Sequence, residues 1–252
     1  MPKTIDSAVE IQREYYTKTA PRYDTMHAFE GVDDPVSSRM VLAILHSLDV
    51  RSILDVGSAT GRGLQQFAAS FPGALVCGIE PVAALLQQGV AAGVTAHVPL
   101  LQGTGQSLPF GNAAFDVVCE FATLHHVPDP RKVVQEMTRV ARRAVVICDS
   151  NRFGQGPLAA RLFKLFLYKI GLWSAFDYIR TRGKRYQISE GDGLFYSYSV
   201  YDTYDVVAKW ADRVLIIPSV PGPPNTWLHP LLSAPGVILI GIRESSASGE
   251  KQ

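Results

Sequence analysis

Arg51-Ser52-Ile53-Leu54-Asp55-Val56-Gly57-Ser58-Ala59-Thr60-Gly61-Arg62-Gly63 reads as a buried strand that ends in a glycine turn and opens a helix. Ile53, Leu54 and Val56 supply the strand. Gly57, Gly61 and Gly63 remove side chains where a ligand approaches the backbone and where the helix packs on the sheet. The spacing is GxxxGxG. In the GxGxxG dinucleotide fingerprint the second glycine lets a pyrophosphate settle on the helix N-terminus, and the corresponding residue is Ala59. The turn therefore suits a ligand with a nucleoside and no pyrophosphate.

Outward from this turn, helix and strand patterns alternate from about residue 36, which predicts a parallel sheet covered on both faces, an α/β fold. Val36–Leu48 has helical apolar spacing. After the Phe71-Pro72-Gly73 turn come a strand over Ala74–Ile79, a helix over Val82–Ala92 with Pro81 at its start, and a third strand around His97–Leu101. Phe115–Phe121 is the fourth strand. Asp129-Pro130 starts a helix with Val133, Val134, Met137 and Val140 on one face, and Ala144–Cys148 is the fifth strand. Residues 152–200 interrupt the alternation; it resumes over Tyr201–Ala211, Val214–Ile217 and a last strand, Val237–Ile242.

The chain has 252 residues, 47% hydrophobic and 19% charged, enough for one enlarged domain with a full core. Its net charge of +1 argues against a general nucleic-acid surface. Cys77, Cys119 and Cys148 lie in apolar runs without metal-ligand spacing and read as reduced core thiols. With no signal-peptide pattern in Met1–Asp6 and no run of membrane-spanning length, the expectation is a cytoplasmic protein that uses no metal.

Glu80 stands 23 positions after Gly57 at the end of the second strand, where a carboxylate can accept from both ribose hydroxyls. With Asp55, the glycine turn, Leu108-Pro109-Phe110, Phe115-Asp116-Val117-Val118 and Leu124-His125-His126-Val127-Pro128-Asp129-Pro130, the chain resembles class I S-adenosylmethionine-dependent methyltransferases, in their small-molecule, type 11-like branch. Tyr15–Asp24 is similar to the N-terminal helix that closes over the cofactor in that branch, with Tyr16 and Tyr23 the best-matched residues. The resemblance spans roughly residues 10–150 well and the remainder as fold alone.

What it implies is a Rossmann-like, seven-stranded, mostly parallel sheet with helices on both faces and a lid insertion after the fifth strand. One domain would divide into a cofactor-covering segment (1–35), a cofactor-binding core (36–151), a substrate lid (152–200), the rest of the core (201–243) and a tail (244–252). Asp55, Gly57 and Gly61 would surround the methionine portion of S-adenosylmethionine, Glu80 its ribose, and Val82 would pack under the adenine. The family's adenine-binding aspartate is replaced by Thr104, leaving Gly105 and Gln106 to meet the base; Glu120 or Phe121 would line the methionine amine. S-adenosylhomocysteine would be the product.

Each assignment has a structural alternative: Glu80 as a solvated carboxylate before a helix, Gly57 and Gly61 as turn residues, Tyr16 and Tyr23 as packing residues, and Asp129 as a helix cap. His125 and His126 follow the fourth strand, and either can act as a base toward a hydroxyl acceptor or hydrogen-bond the following turn. Between Arg152 and Tyr186 eight basic residues face one acid, so this segment carries +7 and the rest of the chain −6. It is also strongly apolar, which fits a lid over an apolar or anionic acceptor, a surface that meets anionic lipid, or a core helix with snorkelling cations. Asn151, Tyr196 and Tyr198 are the candidate acceptor contacts, the tyrosines alternatively belonging to a strand or surface loop.

The expected activity is methyl transfer to a small molecule, at a hydroxyl oxygen first and at nitrogen or carbon second. The competing readings are a noncatalytic cofactor-binding partner protein and, less favoured, an NAD-dependent oxidoreductase. No nucleic-acid partner is expected, since the groove- and base-reading motifs are missing.

Overall fold

The computed structural model describes residues 5–27, 35–96, 98–219 and 228–244. Its centre is a seven-stranded sheet: β1 (Ser52–Val56), β2 (Leu75–Glu80), β3 (Leu100–Gln102), β4 (Phe115–Phe121), β5 (Ala141–Ser150), β8 (Arg213–Pro218) and β9 (Gly236–Ile242). The two intervening strands, β6 (Tyr186–Ser189) and β7 (Gly193–Tyr196), form a separate hairpin. The sheet order is β3-β2-β1-β4-β5-β9-β8. Only β9 runs antiparallel, to both β5 and β8.

Strand residues alternate between two cores, as the two-residue period of a strand requires. Leu54, Val56, Val118, Val145, Ile147 and Leu239 face one side, with Val133, Val134, Met137 and Val140 of α6 (Pro130–Val140) and Val207 of α9 (Tyr204–Trp210). Ile53, Val76, Val117, Val146, Ile238 and Ile240 face the other, against Val41 and Leu45 of α3 (Pro35–His46) and Leu64 and Phe67 of α4 (Arg62–Ser70). The fold is thus α/β with helices on both faces, as the alternation in the sequence predicts. Cys77, Cys119 and Cys148 are buried within these cores and form no disulfide.

Some boundaries differ from the sequence reading, each for a local reason. The helix after β2 is α5 (Ala83–Ala91), one residue later than expected, because Val82 is its N-cap and donates its N–H to Glu80 at 2.9 Å. β5 runs longer than Ala144–Cys148, taking in Arg142 and Arg143, whose side chains pair with Asp116 at 3.1 and 3.7 Å. The third strand is Leu100–Gln102; His97, where it was expected to begin, lies outside the described residues, as do 1–4, 28–34, 220–227 and 245–252. Asp129 caps α6, accepting from Lys132 N at 3.1 Å.

Two segments close over the carboxyl ends of the parallel strands. Helix α1 (Ile5–Thr19) continues through a short turn into α2 (Tyr23–Met26), where Asp24 accepts from Thr60 Oγ1 at 2.7 Å and pairs with Arg62 at 3.5 Å. Between β5 and α9 lie α7 (Leu158–Lys169), α8 (Trp173–Arg180) and the β6–β7 hairpin. Gly193, at φ +70°, lets this hairpin touch α1: a Cβ there would stand 2.6 Å from Tyr15 and 2.9 Å from Gln12. The last helix, α10 (Pro230–Ser233), leads into β9.

Candidate functional site

The glycine turn after β1 shapes the floor of a cleft of about 1380 Å³ at the carboxyl ends of the strands. Gly57 (φ +83°) and Gly61 (φ +77°) are both left-handed, and Gly61 is the N-cap of α4. A Cβ on Gly57 would lie 2.4 Å from the Thr123 side chain, so only glycine lets the two strand-end loops meet. Gly61 and Gly105 lie off the cleft wall. Their missing side chains make room for Leu100 (2.8 Å) and Val56 (2.7 Å) respectively, which is packing rather than ligand access.

Glu80, 5% exposed, bridges the first turn to the start of α5, accepting from Ala59 N at 3.1 Å and Val82 N at 2.9 Å. Burial raises its carboxyl to about 7, against the pull of those two amides. Asp55 is also raised to about 7, by burial and then by the Glu80 charge, and its hydrogen-bond partner is the weak Cys119 thiol at 3.9 Å. Both carboxylates sit on the cleft wall with acceptor capacity to spare. Ser58 Oγ, on the same wall, is buried without a hydrogen-bond partner. A ribose diol and an amino group supply the donors that such a surface lacks, so the residues fit a nucleoside-bearing amino-acid cofactor.

Across the cleft stands a histidine–carboxylate network. His125 Nδ1 is 2.7 Å from Asp149 Oδ1, and its Nε2 is 3.4 Å from Asp192 of the β6–β7 turn. Asp149 also accepts from the backbone N–H groups of Leu124 (2.8 Å) and His125 (3.2 Å), fixing the loop. Burial acts to lower the His125 pKa, but Asp149 and Asp192 outweigh it and hold it well above the usual imidazole range. His126 is shifted the other way, by burial and by the His125 charge. Its Nδ1 lies 2.6 Å from the Leu194 carbonyl and 3.0 Å from Gln12 Nε2; the carbonyl can only accept, so the shorter contact favours a proton on Nδ1, with Nε2 then the acceptor. Tyr16 Oη reaches that Nε2 at 3.0 Å and Asp192 lies 3.2 Å from it. Against burial, the charged His125 keeps Asp192 well below the usual carboxylate range. His125, His126 and Asp192 offer ligand atoms within 4.8 Å of one another, near enough to share a cation, although each already has a hydrogen-bond partner.

Tyr16, Tyr23, Asp55, Gly57, Glu80, Thr104, Gln106, Phe121, His125 and His126 all line this cleft. Besides Gly61 and Gly105, four other candidates do not. Glu120 is fully buried behind the wall, bonded to Thr123 N at 3.0 Å, because its neighbour Phe121 takes the cleft-facing position. Asn151 is also fully buried; it donates to the carbonyls of Leu231 (2.9 Å) and Ala234 (2.8 Å) and accepts from Ser199 Oγ (2.8 Å), tying the chain after β5 to the core. Tyr198 lies in the core with its hydroxyl 2.8 Å from Thr203 Oγ1. Tyr196 packs edge-on to Tyr186, beside Ala8 and Ile11 of α1. The cleft wall opposite Asp55 and Glu80 is instead reached by the hairpin turn Gly191-Asp192, whose acid flanked by two glycines was the available sequence signal. Gln12, which lines the cleft and accepts from Leu194 N at 2.5 Å, carries no such signal, being one polar residue on a helix.

Residues 54–148 match a family model described as a methyltransferase domain. An uncharacterized methyltransferase of Mycobacterium sp. (strain KMS) is 31% identical over 170 residues, 67% of this chain and 65% of that protein. A demethylmenaquinone methyltransferase of Roseiflexus sp. (strain RS-1) is 29% identical over 146 residues, 57% of this chain and 61% of that protein. The chain thus spans just under two thirds of the length of these curated relatives. In fold it is similar to the Burkholderia thailandensis 1,6-didemethyltoxoflavin-N1-methyltransferase, solved with its namesake compound and S-adenosylhomocysteine: TM-score 0.59 at 16% identity, covering 96% of this chain and 92% of that one. Residues 54–148 thus form a methyltransferase domain, and the sheet order and carboxylate-walled cleft are similar to those that the resemblance to class I S-adenosylmethionine-dependent methyltransferases implies.

Proposed function

We propose that the protein transfers a methyl group from S-adenosylmethionine to a hydroxyl oxygen of a small-molecule acceptor bound beside His126 and Asp192. The observation that carries this reading is one cleft walled by the under-satisfied carboxylates of Asp55 and Glu80 on one side and a neutral imidazole on the other. Bound S-adenosylmethionine supplies a methyl group made electrophilic by its sulfonium, so the protein's task is mainly alignment. Glu80 accepts from the ribose hydroxyls, Asp55 and the Gly57 turn hold the methionine portion, Val82 packs under the adenine, and Thr104 and Gln106 lie toward the base. Tyr16 and Tyr23, on the segment pinned by Asp24 to Thr60 and Arg62, exclude water from above.

His126 Nε2 takes the acceptor's proton, and the ionised Asp192 stabilises the imidazolium that results. His125 is a positioning residue. Charged already, it directs its N–H groups to Asp149 and Asp192 and keeps the carboxylate of Asp192 beside His126. A nitrogen or carbon acceptor is the second reading, and the relative named demethylmenaquinone methyltransferase points to a quinone-like molecule as one such acceptor. Titration with S-adenosylhomocysteine and with NAD tests the cofactor, and transfer of a labelled methyl group into extracts, followed by identification of the product bond, tests the acceptor. Absence of S-adenosylhomocysteine binding would overturn the proposal.

A further inference from the structure

The helices between β5 and the β6–β7 hairpin leave an apolar surface that the cleft does not use. Among the described residues, ten of the fifteen exposed large apolar side chains fall between 158 and 188, so they are concentrated rather than scattered. Leu158 (48% exposed), Leu162 (49%), Phe166 (58%) and Ile170 (49%) recur at four-residue spacing along α7 and form one stripe. Leu172 (52%) and Ile179 (75%) extend the exposed apolar surface over the turn and α8.

The cations of the segment divide into two groups. Arg152 is buried, paired with Asp202 at 2.7 Å and ringed by Phe153, Tyr168 and Trp173 at 4.7–5.5 Å. Arg161 and Lys164 are taken up by backbone carbonyls, including those of Leu232 (2.9 Å) and Gln155 (2.8 Å). Lys169, Arg182, Lys184 and Arg185 remain exposed. The segment's one acid, Asp177, is buried and paired with Arg180 at 2.6 Å, so within 152–186 no exposed carboxylate offsets them.

We infer that the α7–α8 hairpin docks the protein on the surface of an anionic lipid bilayer, its apolar stripe entering the interface and its exposed cations meeting the headgroups. An interfacial helix has this composition, large apolar side chains on one face with Lys and Arg around them and no opposing acid. Spanning is excluded by length, since α7 has 12 residues and no helix among the described residues is long and apolar enough to cross a membrane. A two-fold contact with a second copy would lay these cations against their own counterparts, whereas an anionic surface answers both the apolar and the charged character of the patch. Docking also brings the cleft near the bilayer. Ile188 (59% exposed) pairs on β6 with Leu194 of β7, two residues after the cleft-lining Asp192.

The test is co-sedimentation of the full chain with phosphatidylcholine vesicles and with vesicles carrying about one third phosphatidylglycerol, at low and high salt. The wild type should sediment with the anionic vesicles, and less in high salt. Leu162→Ser/Phe166→Ser/Ile170→Ser should weaken that binding at least about tenfold, and Lys169→Glu/Arg182→Glu/Lys184→Glu should abolish the preference for anionic lipid. Circular dichroism and S-adenosylhomocysteine affinity confirm the fold; if the triple serine variant is unfolded, Phe166→Ser alone should still weaken binding about threefold. Equal binding by wild type and folded serine variants, no sedimentation of wild type at low salt, or a dimer that the serine variants dissociate would overturn the inference, the last by assigning the patch to a second copy.

Discussion

Replacing Glu80 with alanine should weaken S-adenosylhomocysteine binding by about two orders of magnitude while leaving the fold intact. The carboxylate is 5% exposed, and one lone pair on each oxygen is committed to Ala59 N and Val82 N. The remaining lone pairs are those we assign to the ribose diol. Hydrogen bonds to a charged acceptor contribute about 1.5–3 kcal/mol each, and water entering the space left in the alanine variant restores part of that. A net loss of about 3 kcal/mol corresponds to about 100-fold in Kd. Glu80→Gln should lose less, about tenfold, yet more than an isosteric change suggests. Its amide NH₂ must face one of the two backbone N–H donors that the carboxylate accepts. Calorimetric titration at pH 8, where a carboxyl at about 7 is ionised, measures the affinity directly. Repeating it down to pH 6 adds a second readout. Wild-type affinity should fall as Asp55 and Glu80 protonate around 7, and the alanine variant should keep only the part due to Asp55. An alanine variant within about threefold of wild type, or one with an unchanged pH slope, would refute the reasoning.

The same carboxyls bear on stability: Glu80 holds a proton in the folded ligand-free protein that the unfolded chain releases near 4.5, so stability present below that pH should be lost as pH rises through about 7. The loss is about 3 kcal/mol for this group, read as a falling Tm that saturating S-adenosylhomocysteine restores. His126→Ala should lower kcat by about 10²–10⁴ at unchanged S-adenosylhomocysteine affinity, and the wild-type rate should reach its plateau from a pKa below 6.5; full turnover in the variant at every pH would remove His126 as the base. Gly57→Ala meets Thr123 at 2.4 Å and a φ of +83°, and should lower the stability measured in urea by about 1–3 kcal/mol. Arg152→Met leaves the carboxylate of Asp202 without its guanidinium partner and should cost about 3–5 kcal/mol in the same assay. A loss below about 1 kcal/mol would show that the pair does not anchor the segment after β5.

Most of the sheet was legible because strands buried on both faces read as continuous apolar runs, and Phe115–Phe121 was placed to the residue. The cofactor side of the cleft was legible for a related reason. Its residues sit at strand ends, where short-range chemistry such as a glycine turn or a terminal carboxylate marks position directly. The acceptor side was legible only as a segment. Asn151, Tyr196 and Tyr198 have the right composition for ligand contacts, yet strand alternation and long-range hydrogen bonds turn them into the core or onto α1. Asp192 reaches the cleft because a hairpin turn carries it there, and Gln12 because α1 lies against β7.

By itself the sequence determined the α/β architecture and the nucleoside-compatible turn and marked Glu80 at a strand end, because each of these signals is a local pattern of residue types along the chain. Only the tertiary structure decided which imidazole is free to accept a proton. Asp149 and Asp192, contributed by two separate segments, hold His125 charged, while burial and that neighbouring charge push His126 the other way. It also decided which cations of residues 152–186 are consumed by the fold and which face outward, since pairing of Arg152 with Asp202, 50 positions away, is a property of packing and not of local composition.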